Sequence, residues 1–391
     1  MMNVLFDHQI FEAQQFGGIS RYFYELWRHA EDAGFSAQIE VQYGKNVYLR
    51  ESAAFQEHLQ PFEDPWRIFF EHAHLPGKEA ILRIKQRLNP GKPWKAALKA
   101  SNQLAVLERL QHSSCDIFHP TYYDPYFLDR LHDTPFVLTV FDMIHERYPE
   151  YFRLTERVSA HKYRICQSAA RIITISEQTR RDLISFFGIA PEIIDVVYLA
   201  NSLVLADDEL AVKLPDFYLL FTGSRKIYKN FYFLLRALAD ILRDNNITLV
   251  CTGKAFSAAE YQFFELLGVE NHVRHISADD NTLAALYHHA LAFVFPSLYE
   301  GFGIPVLEAF ACGCPAILSN SSSLPEVGGD AAAYFEAKDA RSIQEAVTRV
   351  IFHEELRREL IAKGTERLQH FSWERTARQT ATVYARALNA V

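Results

Sequence analysis

Three observations predict an α/β protein with two doubly wound, Rossmann-like domains. Short apolar runs rich in Val, Ile and Phe alternate with longer helical patterns, as in strand–helix–strand units of a parallel sheet. The alternation halts once, over the loose stretch Tyr198–Pro215 with its acidic Asp207-Asp208-Glu209, and then resumes. A chain of 391 residues is too long for one ordinary core, and 49% hydrophobic against 23% charged residues supplies the apolar surface that two cores need.

The first series places strands at Asn3–Asp7, Ala37–Val41, Ile117–His119, Phe136–Val140, Ile172–Ile175 and Ile194–Val197, with helices Ile19–Ala33, Glu156–Ser168 and Glu177–Phe187 between them. The second runs strand Phe217–Thr222, helix Asn230–Asp244, strand Thr248–Thr252, helix Ser257–Leu267 and strand Val273–Ile276. It continues with helix Asn281–His289, strand Leu291–Phe295, helix Pro305–Cys312 and strand Ala316–Leu318. We therefore expect one domain over 1–200 and another over 215–370, with a terminal helix, 373–391, that can pack back on the first.

Charge and cysteine usage exclude several classes. The net charge of −8 lacks the global positive field of a nucleic-acid binder. Five cysteines in no regular framework fit a reducing cytosol. Cys312 and Cys314 have no second pair to complete a zinc set and read as small buried residues flanking a turn. The first residues lack a signal peptide's charged and small-residue regions, and no apolar run reaches spanning length, so a cytoplasmic protein with at most peripheral membrane contact is expected.

The densest functional string is Ser297-Leu-Tyr-Glu-Gly-Phe-Gly-Ile-Pro-Val-Leu-Glu, at a strand end that opens into a helix. Such turns aim backbone N–H groups and a helix dipole at anions. Gly301 and Gly303 permit close approach of a ligand, Pro305 suits the first helical turn, and the amides of Phe302, Gly303 and Ile304 are placed to bind a diphosphate. Glu308, one turn along, can accept hydrogen bonds from a ribose diol, while Glu300 stands before the helix where a sugar would lie. A bare Gly-x-Gly is more often a plain turn; the full string is far more specific. Earlier, Gly223-Ser-Arg-Lys-Ile-Tyr-Lys-Asn follows the first strand of the second series, which puts Arg225 and Lys229 at a strand end where fixed cations can grip phosphate oxygens.

These strings resemble the retaining glycosyltransferases of family 4, whose hallmark is Glu, seven residues, Glu around a Gly-Phe-Gly turn; here those positions are Glu300 and Glu308. Pro315-Ala-Ile-Leu and Leu324-Pro-Glu-Val-Gly continue the pattern, and the resemblance covers nearly the whole chain. It implies the two-domain GT-B fold, a nucleoside-diphosphate sugar as donor substrate, a glycan or lipid-linked acceptor, and no metal or other cofactor, with Arg225 and Lys229 on the diphosphate. Gly17 and Gly18 look like the family's glycine-rich loop facing the cleft. Asp142 matches an Asp that many members precede with His; this chain has Phe141 there, and His145 is the candidate to replace it on the donor sugar. Ser176 reads as a helix cap and Arg180 as either an acceptor contact or a solvated residue. Similarity of Gly-Ser-Arg-x-x-Tyr-Lys-Asn and Asp-Met-Ile-His-Glu to bacterial mannosyl- and related transferases points to a hexose, mannose or a related sugar, from a GDP donor, used for a surface polysaccharide such as O-antigen.

One stretch, Pro76–Ala100, carries seven basic residues (Lys78, Arg83, Lys85, Arg87, Lys92, Lys95, Lys99) against Glu79, a net +6, with Leu, Ile and Trp interleaved. It reads equally as an anionic-membrane contact and as a solvated helix face. Just upstream, Trp66, Phe69 and Phe70 are core, cleft or interfacial candidates. Two other functions remain open from sequence: a sugar-nucleotide hydrolase or epimerase on the same fold, and a non-catalytic sugar-nucleotide-binding scaffold subunit. A dinucleotide dehydrogenase is weaker, because Asp7-His-Gln-Ile follows the first strand instead of Gly-x-Gly-x-x-Gly.

Overall fold

In a computed structural model the described residues are 1–62, 93–112, 115–152, 155–205 and 213–389. Most of the basic stretch, Pro76–Lys92, lies outside them, as do Trp66, Phe69, Phe70 and the acidic triplet at 207–209.

The first sheet contains β1 (Met2–Phe6), β2 (Phe35–Ile39), β5 (Ile117–His119), β6 (Val137–Val140), β7 (Arg171–Thr174) and β8 (Ile194–Val196). Two further strands, β3 (Tyr43–Gly44) and β4 (Gln60–Pro61), pair only with each other. The spatial order is β2-β1-β5, joined by a parallel bridge between Phe118 and Phe136 to β6-β7-β8. The second sheet is β9 (Tyr218–Phe221), β10 (Thr248–Cys251), β11 (Val273–His275), β12 (Ala292–Phe295), β13 (Ala316–Ser319) and β14 (Ala332–Phe335), in the order β11-β10-β9-β12-β13-β14. Every pairing is parallel. Strands such as Tyr218-Leu-Leu-Phe and Ala292-Phe-Val-Phe are buried at every position because helices cover both faces.

Helix boundaries follow local chemistry. Ser176 caps Glu177–Phe187 by accepting the Thr179 amide at 3.0 Å, and Gly188 ends that helix in the left-handed region. Ser257 and Glu260 form a capping box on Ala258–Leu267. The last helix, Trp373–Leu388, lies on the first sheet: Tyr384 and His119 share a 2.7 Å hydrogen bond, Thr376 Oγ1 donates to the Tyr198 carbonyl at 2.7 Å, and Arg386 pairs with Asp195. Strand β14 and helices Pro93–Gln111, Ala340–Phe352 and Glu354–Leu368 are elements that the sequence reading did not place. Cys312 and Cys314 are buried on either side of the positive-φ Gly313, and all five cysteines are free thiols.

Candidate functional site

In the second sheet the chain leaves β9 toward β10 on one side and β12 toward β13 on the other. The loops after β9 and β12 therefore diverge and leave a crevice at the carboxyl ends of these neighbours. Lys229 from the first loop and Glu300 from the second meet in it, the ammonium donating to both carboxylate oxygens at 2.7 and 2.9 Å. The ammonium also stands 5.2 Å from the centre of the Phe295 ring. Serines from the loop after β13 hold Glu300 from behind: Ser322 Oγ donates to its carbonyl at 2.6 Å and Ser323 Oγ at 2.9 Å. Ser323 also contacts the Phe302 carbonyl at 2.8 Å. The Ser-Ser-Ser run at 321–323 was visible in the sequence, but its contacts with a loop some twenty residues away were not.

The glycines explain how the crevice meets the first domain. A Cβ on Gly301 would stand 1.9 Å from the Phe141 carbonyl oxygen, so only glycine fits against that backbone. Gly301's own carbonyl accepts hydrogen bonds from Ser176 and Thr179, so Ser176 serves as more than a cap. Gly303, at φ 109°, begins helix Ile304–Ala311 without a capping side chain, which leaves the first-turn amides to another partner. The Phe302 ring itself is core, packed between Tyr198 and Phe371. Gly18, at the start of helix Gly18–Arg28, faces Ile304 across the cleft; Gly17 precedes it as the N-cap.

The first-domain residues converge on the same loop. Asp142 Oδ1 accepts the Ile144 amide at 3.1 Å, and the Met143 amide donates to the Tyr299 hydroxyl at 3.1 Å. Tyr299 in turn donates to Asp182 at 2.7 Å, so it ties the Asp142–His145 segment and helix Glu177–Phe187 to the residue beside Glu300. Beneath that segment a buried Lys162 pairs with Glu146 at 2.9 Å and donates to the Asp142 carbonyl at 3.0 Å. His145 packs on Phe152, which neighbours Tyr228. Burial, with the Lys162 charge behind it, pushes the His145 pKa down, so the imidazole is neutral at pH 7.

Two of the candidate cations have partners within the fold. Arg225 does not converge with Lys229: its Nε donates to Glu260 at 2.5 Å, its Nη2 donates to the carbonyls of Lys254 and Ala255, and Phe256 lies against its plane. Only 6% of the side chain is exposed. It braces the loop after β9 against the loop after β10, where Gly253 backs onto the Gly223 carbonyl, and its Nη1 is buried without a partner among the described residues. Burial would raise the Glu260 carboxyl, but hydrogen bonds from Arg225 and Ser257 outweigh it and hold the pKa at about 2. Arg180, read as either an acceptor contact or a solvated residue, has its Nη1 3.5 Å from Glu177 and its Nε buried without a partner among the described residues.

Glu308 stands one turn into helix Ile304–Ala311, accepting from Tyr287 at 3.0 Å, with its pKa raised by burial. The sequence reading missed its setting. Arg21, one turn beyond Gly18, crosses to Asp280 at 2.9 Å and donates to the Tyr48 hydroxyl at 3.0 Å, and the Arg21 charge opposes the rise at Glu308. Among the described residues no three His, Cys, Asp or Glu side chains gather as a metal-binding group.

Two facing Rossmann-like sheets, with a charged crevice on one and a loop from the other closing over it, define a GT-B glycosyltransferase fold. The family described as Glycosyltransferase Family 4 matches residues 16–200, and that described as Glycosyl transferases group 1 matches 206–367. The O-antigen chain mannosyltransferase B of Escherichia coli is 30% identical over 283 residues, 68% of this chain and 74% of that protein. A serotype-specific mannosyltransferase, WbdA, also of Escherichia coli, is 41% identical over 109 residues, 28% of this chain but only 13% of that longer protein. The sucrose-phosphate synthase of Thermosynechococcus elongatus shares the fold at a TM-score of 0.74 and 19% identity, over 100% of this chain and 99% of that one. The chain belongs to the family 4 glycosyltransferases.

Proposed function

We propose that the protein is a retaining, metal-independent mannosyltransferase that moves mannose from a GDP-linked donor to a growing glycan of a surface polysaccharide such as O-antigen. The observation that carries this reading is the Lys229–Glu300 pair at the switch point of the second sheet, in a chain related to enzymes named as mannosyltransferases.

In this reading the diphosphate lies against the open turn of helix Ile304–Ala311 at Phe302, Gly303 and Ile304. Lys229 uses the N–H that Glu300 leaves free. That ammonium supplies the charge a metal would otherwise bring to the leaving group. Glu308 accepts from the ribose diol, and Gly17, Gly18 and Gly223 keep the backbone close around the donor. Glu300 orients the sugar hydroxyls, with neutral His145 facing them from the other domain and Asp142 fixing the turn that carries it. The anomeric C–O bond to phosphate breaks while an acceptor oxygen bonds to the same face of that carbon. The acceptor proton passes to the departing diphosphate oxygen, so no protein base is needed.

We place the division between donor and acceptor domains within 200–215, with helix Trp373–Leu388 serving the acceptor domain, and the protein on the cytoplasmic side of the membrane. The basic stretch 76–100 would dock there on anionic lipid, each Lys or Arg contributing about 1 kcal/mol. Lys99 contributes least, because it pairs with Asp124 at 2.7 Å. Replacing Arg83, Lys85, Arg87 and Lys95 with Gln should abolish salt-sensitive binding to phosphatidylserine vesicles and spare donor binding; equal binding by variant and parent would remove this contact.

The test of the activity is mass spectrometry of turnover with a panel of nucleotide sugars and fluorescent α-mannoside acceptors, followed by proton NMR of the new linkage. GDP-mannose should give an α-linked product without added metal. Transfer only from other donors, an inverted linkage, or free mannose without transfer would each contradict the reading.

A further inference from the structure

A second cavity, of ≈ 580 Å³, opens between the domains on the other side of the loop that carries Glu300. It lies within the size range of small-ligand sites, about 300–1,000 Å³. One wall is Arg147 and Tyr148, at the end of the short helix that begins with Ile144-His145; the opposite wall is Ser321 and the segment Glu336–Asp339 after β14. Leu298 and Tyr299 form its inner edge, so its contents would stand next to Glu300 without touching the diphosphate crevice.

The chemistry of the walls selects among ligands. Arg147 and Lys338 bring two positive charges, Asp182, Glu336 and Asp339 three negative ones, so the lining is net negative and offers no focused field for a phosphate. The carboxylates already hold protein donors: Asp182 takes Tyr299 and Gln178, Asp339 caps helix Ala340–Phe352, and Glu336 takes Asn320. By contrast, Arg147, Lys338, the Ser321 hydroxyl and the Tyr148 hydroxyl point no hydrogen bond at any described residue. The Tyr148 ring is half-buried, stacks on Tyr151 at 5.5 Å and 7° and meets Tyr299 edge-to-face at 6.2 Å, so the wall carries aromatic surface from Tyr148 and Tyr299. Free donors, hydroxyls that both give and accept, acceptors with spare lone pairs and an aromatic plane match a neutral, hydroxyl-rich pyranose.

We propose that this cavity binds the acceptor's penultimate sugars, as a subsite for a neutral oligosaccharide chain. The proposal rests on the transferase reading above. It makes chain length a determinant of affinity: one sugar reaches the transfer point, and the next ones fill the cavity between Tyr148 and Lys338.

The test uses the full chain and a panel of neutral fluorescent oligosaccharides, the mono-, di- and trisaccharides of mannose, glucose and galactose, with binding read by fluorescence anisotropy in saturating GDP. At least one trisaccharide should bind tenfold or more tightly than its monosaccharide. Ser321→Trp, which fills the cavity, and the double variant Arg147→Ala with Lys338→Ala, both at its open rim, should each remove that gain and leave GDP affinity unchanged. No length dependence in any series, or a gain that survives in the double variant and in Ser321→Trp, would overturn the subsite while leaving the transferase reading intact. Loss of GDP affinity in Ser321→Trp would overturn it by assigning the cavity to the donor. Failure of the parent protein to bind GDP or to transfer any sugar would instead strike the transferase reading itself.

Discussion

The two sheets carry crevices at equivalent places, after β1 and β5 in the first and after β9 and β12 in the second, yet they use their charge in opposite ways. In the first, Asp7 is turned inward: its carboxylate accepts from the Gln9 side chain at 2.8 Å, the Thr121 amide at 2.8 Å, the Thr121 hydroxyl at 2.6 Å and Tyr126 at 3.1 Å. In the second, Lys229 and Glu300 pair with each other inside the crevice, 16% and 13% exposed, and the ammonium keeps one N–H to spare. The same topology thus yields a structural knot in one domain and a loaded crevice in the other. Whether an acidic residue at a strand end is spent on the fold or held for a ligand depends on how many internal donors surround it.

The comparison breaks most visibly at Glu300. Glu300→Gln should lower turnover by roughly 10²–10³ and shift the melting temperature little, because the amide oxygen of glutamine can still accept from Lys229; a turnover within threefold of the parent would place the sugar elsewhere. Asp7→Ala should do the reverse. It leaves several buried donors unpaired and should cost on the order of 3 kcal/mol of stability, read by urea denaturation, while the folded fraction binds GDP as before. A drop in GDP affinity without loss of stability would make the first crevice part of the donor site.

Glu308 sharpens the contrast through pH. Its folded pKa is raised, so the folded state holds a proton the unfolded state gives up, and stability falls as pH rises above about 4.5 through the folded value. Glu308→Gln should therefore melt higher than the parent at pH 8 and weaken GDP binding about tenfold, as expected for losing a charged hydrogen bond. An unchanged GDP affinity would remove the ribose contact.

The smallest effect is expected at Glu260. Its folded pKa, about 2, is depressed, so its contribution is complete above the unfolded pKa of 4.5 and is lost as pH falls toward 2. The parent should lose more stability over that interval than Glu260→Gln, measured by thermal melts at pH 5 and pH 3. Parallel losses would mean that Arg225 does not depend on this partner.

Much of the candidate site was legible because it is local. Glu300 and Glu308 are eight positions apart around two glycines, and Lys229 ends the loop between a strand and a helix, so period and turn chemistry located them. The ion pair of Arg225 was not legible because its partner, Glu260, lies 35 residues away on another loop, and no local pattern shows which anion a cation will face. Tyr299 was hidden for the same reason: Asp182 and Met143 reach it from the other domain. Of the elements missed, helix Ala340–Phe352 did carry a signal, with Ile343, Ala346, Val347 and Val350 buried along one face at helical spacing. Strand β14, Ala-Ala-Tyr-Phe, has only two strand-favouring residues, Tyr334 and Phe335, in a run too short to stand out, and it is fixed by pairing with β13. Helix Glu354–Leu368 buries only Leu360 and Gly364, too few to show a period.

The most direct measurement of the account is calorimetric titration of GDP into the parent, Lys229→Met and Asp7→Asn under one set of conditions. The crevice after β9 and β12 is the donor site if Lys229→Met weakens GDP at least tenfold, the loss of one charge-assisted contact, while Asp7→Asn, where folded, binds GDP with the parent's affinity. The opposite pattern, GDP binding untouched by Lys229→Met and lost in a folded Asp7→Asn, would move the donor to the first domain and contradict the account.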